Sequence, residues 1–198
     1  MVISSPQTGP LLCPGCRTPT VPGGRFCFNC GMQFAQTDTV RPDTAERRVV
    51  TVLFGDLSDF TAWAEDRDPE RVSEVTDRVL AALAHEVEEV GGRVDNLTGD
   101  GIMAVFGAPT AHEDDPERAV RAAAAMQETA RRLIMDEAGD TSRLGLRVGI
   151  NTGEVLAGVQ ASLAYTVIGD TVNTAARLSD AAAVGTVYAG RETVAATR

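Results

Sequence analysis

Two hydrophobic rhythms run along the chain. Val49-Val-Thr-Val-Leu-Phe54 is a short β-branched run, which predicts a buried strand. Farther on, Val72, Val75, Val79, Leu83, Val87 and Val90 recur at the spacing of one helix face. Pro69 suits the first turn of that helix, Asp68 its cap, and Gly91-Gly92 its end. Arg93–Leu97 and Ile102–Phe106 read as two strands joined by Thr98-Gly-Asp-Gly, a hairpin signal. Asp114, Asp115 and Pro116 open a second long helix, with Ala119, Val120, Ala123, Met126, Ala130, Leu133 and Ile134 facing inward.

The remaining pattern is shorter. Leu144–Asn151 reads as a strand, Glu154–Ile168 as a two-stranded arm and Thr171–Ala182 as a helix. Thr186–Ala189 reads as a last strand, with a helix starting at Arg191. The β-α-β-β-α-β order predicts a ferredoxin-like α+β core.

Upstream of Arg47 this patterning is missing. Residues 1–12 read as a disordered leader, 13–34 hold all four cysteines, and 35–46 form a polar linker. The domain proper then covers 47–198 of the 198 residues.

Charge narrows the function classes. The net charge of −10 argues against nucleic-acid binding, which needs a basic face to meet phosphates. A nucleotide whose charge is screened by metal ions remains compatible with it. All 18 basic residues are arginine. No apolar run reaches the ~20 residues of a membrane span, and Met1-Val-Ile-Ser-Ser-Pro lacks the features of a signal peptide. The expected compartment is the cytoplasm, where cysteines serve as metal ligands more often than as disulfides.

Cys13-Pro-Gly-Cys16 and Cys27-Phe-Asn-Cys30 are two CxxC knuckles, each aiming two sulfurs at one point. Together they predict a tetrahedral Cys₄ site for one structural Zn²⁺, the metal supplying most of the segment's folding energy. The segment resembles the short zinc ribbons of bacterial regulatory proteins. A closed Cys₄ site has no open position for catalysis, so a protein-contact or spacer role is expected of it.

The chemistry-bearing residues fall in three segments. Asp56 and Asp100 each stand at the end of a hydrophobic strand, and Asn173 and Arg177 lie one helical turn apart. Two carboxylates for divalent metal, with an amide and a guanidinium for a transition state, are the components of phosphoryl transfer. Taken singly, Asp56 reads as a cap, Asp100 as a turn residue, and Asn173 and Arg177 as a solvated helix face. Their joint order gives them weight.

That order resembles the class III nucleotidyl cyclase catalytic domain, the adenylyl/guanylyl cyclase family. The matching stretches are Val-Thr-Val-Leu-Phe-x-Asp56 with Phe60-Thr61, and Gly99-Asp100 followed by Ile-Met-Ala-Val-Phe-Gly-Ala-Pro109. Arg147-Val-Gly-Ile-Asn-Thr-Gly-Glu-Val155 and Tyr165-Thr-Val-Ile-Gly-Asp-Thr-Val-Asn-Thr-Ala-Ala-Arg-Leu178 complete the set.

The resemblance implies that Asp56, Asp100 and the Leu57 carbonyl bind two Mg²⁺ or Mn²⁺ ions per site. Backbone N–H groups of Phe60 and Thr61 would cradle the triphosphate. Asn173 would hold the ribose, and Arg177 would stabilise charge on the α-phosphorus. It also implies a homodimer with shared sites, the aspartates from one subunit and Asn173 and Arg177 from the other. The arm between Glu154 and Tyr165 would reach the partner. The implied reaction converts ATP to 3′,5′-cyclic AMP and pyrophosphate.

Three positions depart from the family pattern. The purine-reading pair, lysine with aspartate or threonine in adenylyl cyclases, is here Asn96 with Thr166. Both side chains can donate or accept a hydrogen bond, so the base, adenine or guanine, stays open. Asp59 replaces a common glycine and is expected to act as a helix N-cap. The family's C-terminal hairpin, which often brings a lysine to the triphosphate, has no counterpart before Arg198. The alternatives to an adenylate cyclase are a guanylate cyclase and a cyclase-fold regulatory or dimerisation module with little turnover.

Overall fold

A computed structural model describes residues 16, 18, 45–65, 67–138, 144–159 and 165–197. The chain divides into two compact units, Met1–Arg41 and Pro42–Arg198, and the architecture below belongs to the second. Cys13, Cys27 and Cys30 lie outside the described residues, and so does the ribbon they were expected to build. Of that segment only Cys16 and Thr18 are described, Cys16 Sγ donating to Thr18 Oγ1 at 3.3 Å.

Six strands form one sheet: β1 (Glu46–Ser58), β2 (Arg93–Thr98), β3 (Gly101–Phe106), β4 (Gly145–Val159), β5 (Tyr165–Ile168) and β6 (Val187–Ala189). Their order is β2-β3-β1-β4-β5, and β6 pairs with β4 in parallel. All other pairings are antiparallel. The β2-β3-β1-β4 core is the expected ferredoxin-like arrangement, with α2 (Pro69–Glu89) and α3 (Asp115–Ala138) as its crossovers. The short α1 (Phe60–Ala64) precedes them, and α4 (Asp170–Ala181) and α5 (Arg191–Ala196) follow.

Strand alternation builds two cores, one on each face of the sheet. Leu53 and Leu57 of β1, Ile102, Ala104 and Phe106 of β3, and Leu146, Val148 and Ile150 of β4 face α2 and α3. Val50 and Val52 of β1, Val105 of β3, and Val155 and Ala157 of β4 form the second core, with Ala175 of α4. Asp56 lies on this second face, because it shares the alternation of Val50 and Val52.

Several local expectations meet the structure directly. Asp68 caps α2, its side chain accepting from Glu70 N at 2.9 Å. Gly91 ends that helix with φ 80°, the left-handed conformation glycine adopts without steric cost.

Others are corrected. β1 starts at Glu46, the last residue of the segment read as linker, and runs on to Ser58. β4 is one continuous strand through Val159 rather than a strand followed by a separate arm; the arm is its distal end paired with β5, Val159 opposite Tyr165. Val120 is exposed, and Ala122 takes the buried position, because α3 turns its small-residue face to the sheet. Asp59 occupies the N-cap position of α1, but its side chain makes no capping bond and its backbone is left-handed at φ 55°. An N-cap carboxylate needs extended backbone to reach the first-turn N–H groups, and the left-handed turn withholds that geometry.

Candidate active site

β1 and the turn leading into β3 bring the backbones of the two aspartates expected to bind metal to one end of the sheet. Asp56 is the register partner of Gly101, and Leu57 N donates to the carbonyl of Asp100 at 3.1 Å. The turn holding Asp100 requires Gly99 in the left-handed region at φ 55°, as a tight hairpin demands. Leu57 thus lies between the aspartates with its N–H already spent.

Asp56 has a second neighbour that the sequence reading quoted without a role. Arg147 is its register partner on β4 and donates Nη2 to Asp56 Oδ2. Arg147 Nη1 also donates to the carbonyl of Asp180 at 3.3 Å, beside the end of α4. Strand alternation carried the signal: Leu146 and Val148 face one core, so Arg147 must face the other side, where Asp56 lies.

Two hard carboxylates and a carbonyl suit Mg²⁺ or Mn²⁺, which take one or two carboxylates and complete their shell with phosphate oxygens and water. Among the described residues no group of three or more His, Cys, Asp or Glu side chains converges on a point. The donor set therefore fits a metal that arrives with a polyphosphate better than one held by protein alone. Arg147 engages a single oxygen of Asp56.

Phe60 and Thr61 open α1 immediately after the left-handed Asp59, and the first N–H groups of a helix have no partner within it. His112 donates its backbone N–H to Asp115 Oδ2 at 2.7 Å.

Asn173 and Arg177 lie on the exposed face of α4, one turn apart. The Arg177 side chain is 68% exposed, and its bonds stay on its own helix: Nη2 to Thr174 Oγ1 at 3.2 Å and to Asp170 Oδ1 at 3.4 Å. Among the described residues nothing ties Asn173 or Arg177 to Asp56 or Asp100. The helix itself is seated hard on the sheet. A Cβ added at Gly149 would fall 2.2 Å from Ser179 N and 2.3 Å from the Ala175 carbonyl oxygen.

Asn96 and Thr166, the expected purine pair, have different surroundings. A β-bulge between Val94 and Asn96 makes Asp95 the extra residue of β2. Asn96 is exposed. The Asp95 side chain is only 3% exposed and accepts from the Thr166 hydroxyl at 2.6 Å. Arg93 clamps the arrangement, donating Nη2 to Asp95 Oδ1 and Nη1 to the Tyr165 carbonyl at 3.1 Å. Sequence reasoning missed Asp95 and Arg93. Their one signal was a cation and a carboxylate two residues apart in a strand, hence on one face.

Comparison with known proteins bears on the family and the fold. Residues 43–198 match the adenylate and guanylate cyclase catalytic domain. Adenylate cyclase 1 of Rhizobium meliloti is 33% identical over 138 residues, covering 68% of this chain and 21% of that protein. Adenylate cyclase of Anabaena cylindrica is 29% identical over 149 residues, covering 71% of this chain and 29% of the relative. The chain thus spans less than a third of the length of either relative.

Among solved structures, the guanylyl cyclase Cya2 superposes with a TM-score of 0.72 at 34% identity, covering 78% of this chain and 80% of that one. The adenylyl cyclase CyaB from P. aeruginosa gives 0.73 at 31% identity, covering 77% and 82%. Similar folds therefore include enzymes named for either base. No helix among the described residues is long and apolar enough to cross a membrane. With a family match over most of its length and the matching fold, the chain belongs to the class III adenylate and guanylate cyclase catalytic-domain family.

Proposed function

We propose that the chain is an adenylate cyclase domain that converts ATP to 3′,5′-cyclic AMP and pyrophosphate at sites shared by two copies. One observation carries the reading. The backbones of Asp56 and Asp100 meet at one end of the sheet, while Asn173 and Arg177 stand exposed on α4 with their hydrogen bonds confined to that helix. Residues so placed are presented to a second molecule.

In the reaction the ribose 3′-oxygen bonds to the α-phosphorus, the bond from that phosphorus to the β-phosphate oxygen breaks, and the 3′-hydroxyl proton leaves to solvent. Divalent metal held by Asp56, Asp100 and the Leu57 carbonyl supplies Lewis acidity and screens the polyphosphate. Phe60 and Thr61 offer backbone N–H groups to phosphate oxygens. Asn173 of the other copy orients the ribose, and its Arg177 offers a guanidinium to the charge developing on the α-phosphate. Thr166 and Asn96 read the base. The N-terminal segment is a Zn²⁺ ribbon on Cys13, Cys16, Cys27 and Cys30 that contacts a protein partner, a reading supported by the two CxxC spacings. The cytoplasm, which keeps thiols reduced, suits such a site.

Mixing two inactive variants tests the shared site. Asp56→Asn, which retains an acceptor for Arg147, and Asn173→Ala should each be inactive. Their mixture should recover part of one site per dimer. No recovery in verified mixed dimers, with an active wild type, rules the shared site out. A second reading, a dimerisation module with little turnover, draws on the guanidinium already seated on Asp56. Absence of any cyclic product from ATP or GTP, with Mg²⁺ or Mn²⁺, would favour it.

A further inference from the structure

We infer that Asp95 is a positioning residue for base selection: it fixes the Thr166 hydroxyl as a hydrogen-bond acceptor and so commits the site to adenine. This rests on the reading above that Thr166 meets the base. By its own chemistry a threonine hydroxyl is ambiguous, able to donate to guanine O6 or accept from the adenine 6-amino group. The ambiguity disappears once its single proton is spent.

That proton is spent in this structure. Thr166 Oγ1 donates to Asp95 Oδ2 at 2.6 Å, and it makes no other hydrogen bond among the described residues. The carboxylate is 3% exposed and paired with the Arg93 guanidinium through its other oxygen. An ionised carboxylate only accepts, so the pair cannot exchange roles. Arg93 is held in turn by the Tyr165 carbonyl at 3.1 Å, with its guanidinium carbon 5.3 Å from the centre of the Tyr165 ring. Arg93, Asp95 and Thr166 thus form a relay from β2 to β5 that ends in free acceptor lone pairs. Those lone pairs suit the N–H groups of adenine N6 and oppose the carbonyl oxygen of guanine. The exposed Asn96 side chain makes no hydrogen bond among the described residues and is free to turn its amide to either base, so selectivity falls on the relay.

The test measures kcat/KM for ATP and for GTP with Mn²⁺ in the full chain. Dissociation constants for non-cyclisable α,β-methylene analogues of both nucleotides give a readout that does not depend on turnover. Wild type should favour ATP by about tenfold or more. In Asp95→Asn, Arg93 keeps the amide oxygen on its own side, so the amide NH₂ faces Thr166 and donates to it. The hydroxyl proton is then released toward the base. The ATP:GTP ratio should fall about tenfold or more, partly through gained GTP use, with the unfolding midpoint little changed. Thr166→Val should lose ATP preference without gaining GTP. If Asp95→Asn does not fold, Asp95→Ser, whose hydroxyl imposes no direction, should lower the ratio in the same way.

A wild type that prefers GTP overturns the inference. So does an unchanged ratio in the Asp95 variants while Thr166→Val shifts it, and in that case the reading of Thr166 survives. If Thr166→Val also leaves the ratio unchanged, or neither analogue binds, the reading of Thr166 falls and the inference falls with it.

Discussion

Arg147 and Asp56 are cross-strand partners, and the guanidinium of one is hydrogen-bonded to the carboxylate of the other. Arg147 also has a buried Nε with no hydrogen-bond partner among the described residues. The pair is therefore asymmetric. Asp56→Ala leaves a guanidinium with two unmet donors, a loss of about 1–3 kcal/mol. Arg147→Met removes the unmet donor together with a pair that is roughly one-third exposed, which should cost only ~1 kcal/mol or less. Urea unfolding of both variants checks the order. The reverse order would show that the unmet donors of Arg147 do not carry the cost.

The seat of α4 on β4 depends on the missing side chain of Gly149. Gly149→Ala sets a methyl 2.2 Å from Ser179 N, so the helix must lift. Overpacking of this kind costs ~1–3 kcal/mol, and it displaces Asn173 and Arg177 with the helix. A lowered urea midpoint together with lost cyclase activity is expected. Unaltered stability would mean that the helix is seated less closely than described.

Arg177 should separate function from folding. Its hydrogen bonds lie on an exposed helix face, so Arg177→Ala should leave the thermal midpoint within a few degrees of wild type. Loss of a guanidinium aimed at developing phosphate charge should lower kcat by about 10²–10³-fold. Arg177→Lys should recover little, because an ammonium lacks the planar fork. Full activity in Arg177→Ala would remove the residue from the mechanism.

Acid stability has a local contributor in Asp114. A hydrogen bond from Arg118, with the charges of Arg118 and Arg121, holds its carboxyl below the ordinary 3.8. A lowered folded-state value stabilises the fold above the ordinary value, and that stability fades as pH falls below it. Asp114→Asn should therefore be less stable than wild type at neutral pH, and the difference should shrink as pH falls below 3.8 through the lowered folded-state value. Urea titrations at several pH values read this directly, and a difference that persists at low pH would contradict it.

The cysteine segment makes a stoichiometric prediction. Purified chain should carry one Zn²⁺, and Cys13→Ser or Cys30→Ser should lose it. Metal content clearly below one per chain would refute the Cys₄ assignment.

Periodicity made the core legible. A strand at Val49–Phe54, a helix opened by Asp68-Pro69, and the Thr98–Gly101 hairpin follow from local steric and hydrogen-bonding rules, which operate within a few residues. The places of the candidate residues were legible for the same reason, Asp56 and Asp100 at strand ends and Asn173 and Arg177 on one helix face, while the roles expected of them came from the resemblance to the cyclase family. Contacts between strands distant in sequence were not legible. Arg147 meets Asp56 across 91 residues because β4 pairs with β1 along its whole length. Asp95 meets Thr166 across 71 residues because a one-residue bulge turns it inward. A register shift leaves little trace in local composition, yet it decides which of two adjacent residues is buried. The sequence by itself determined the elements and the side chains that the family resemblance singles out, because both rest on local pattern; tertiary structure decided that Asp95, carried inward by the bulge, meets the Thr166 hydroxyl.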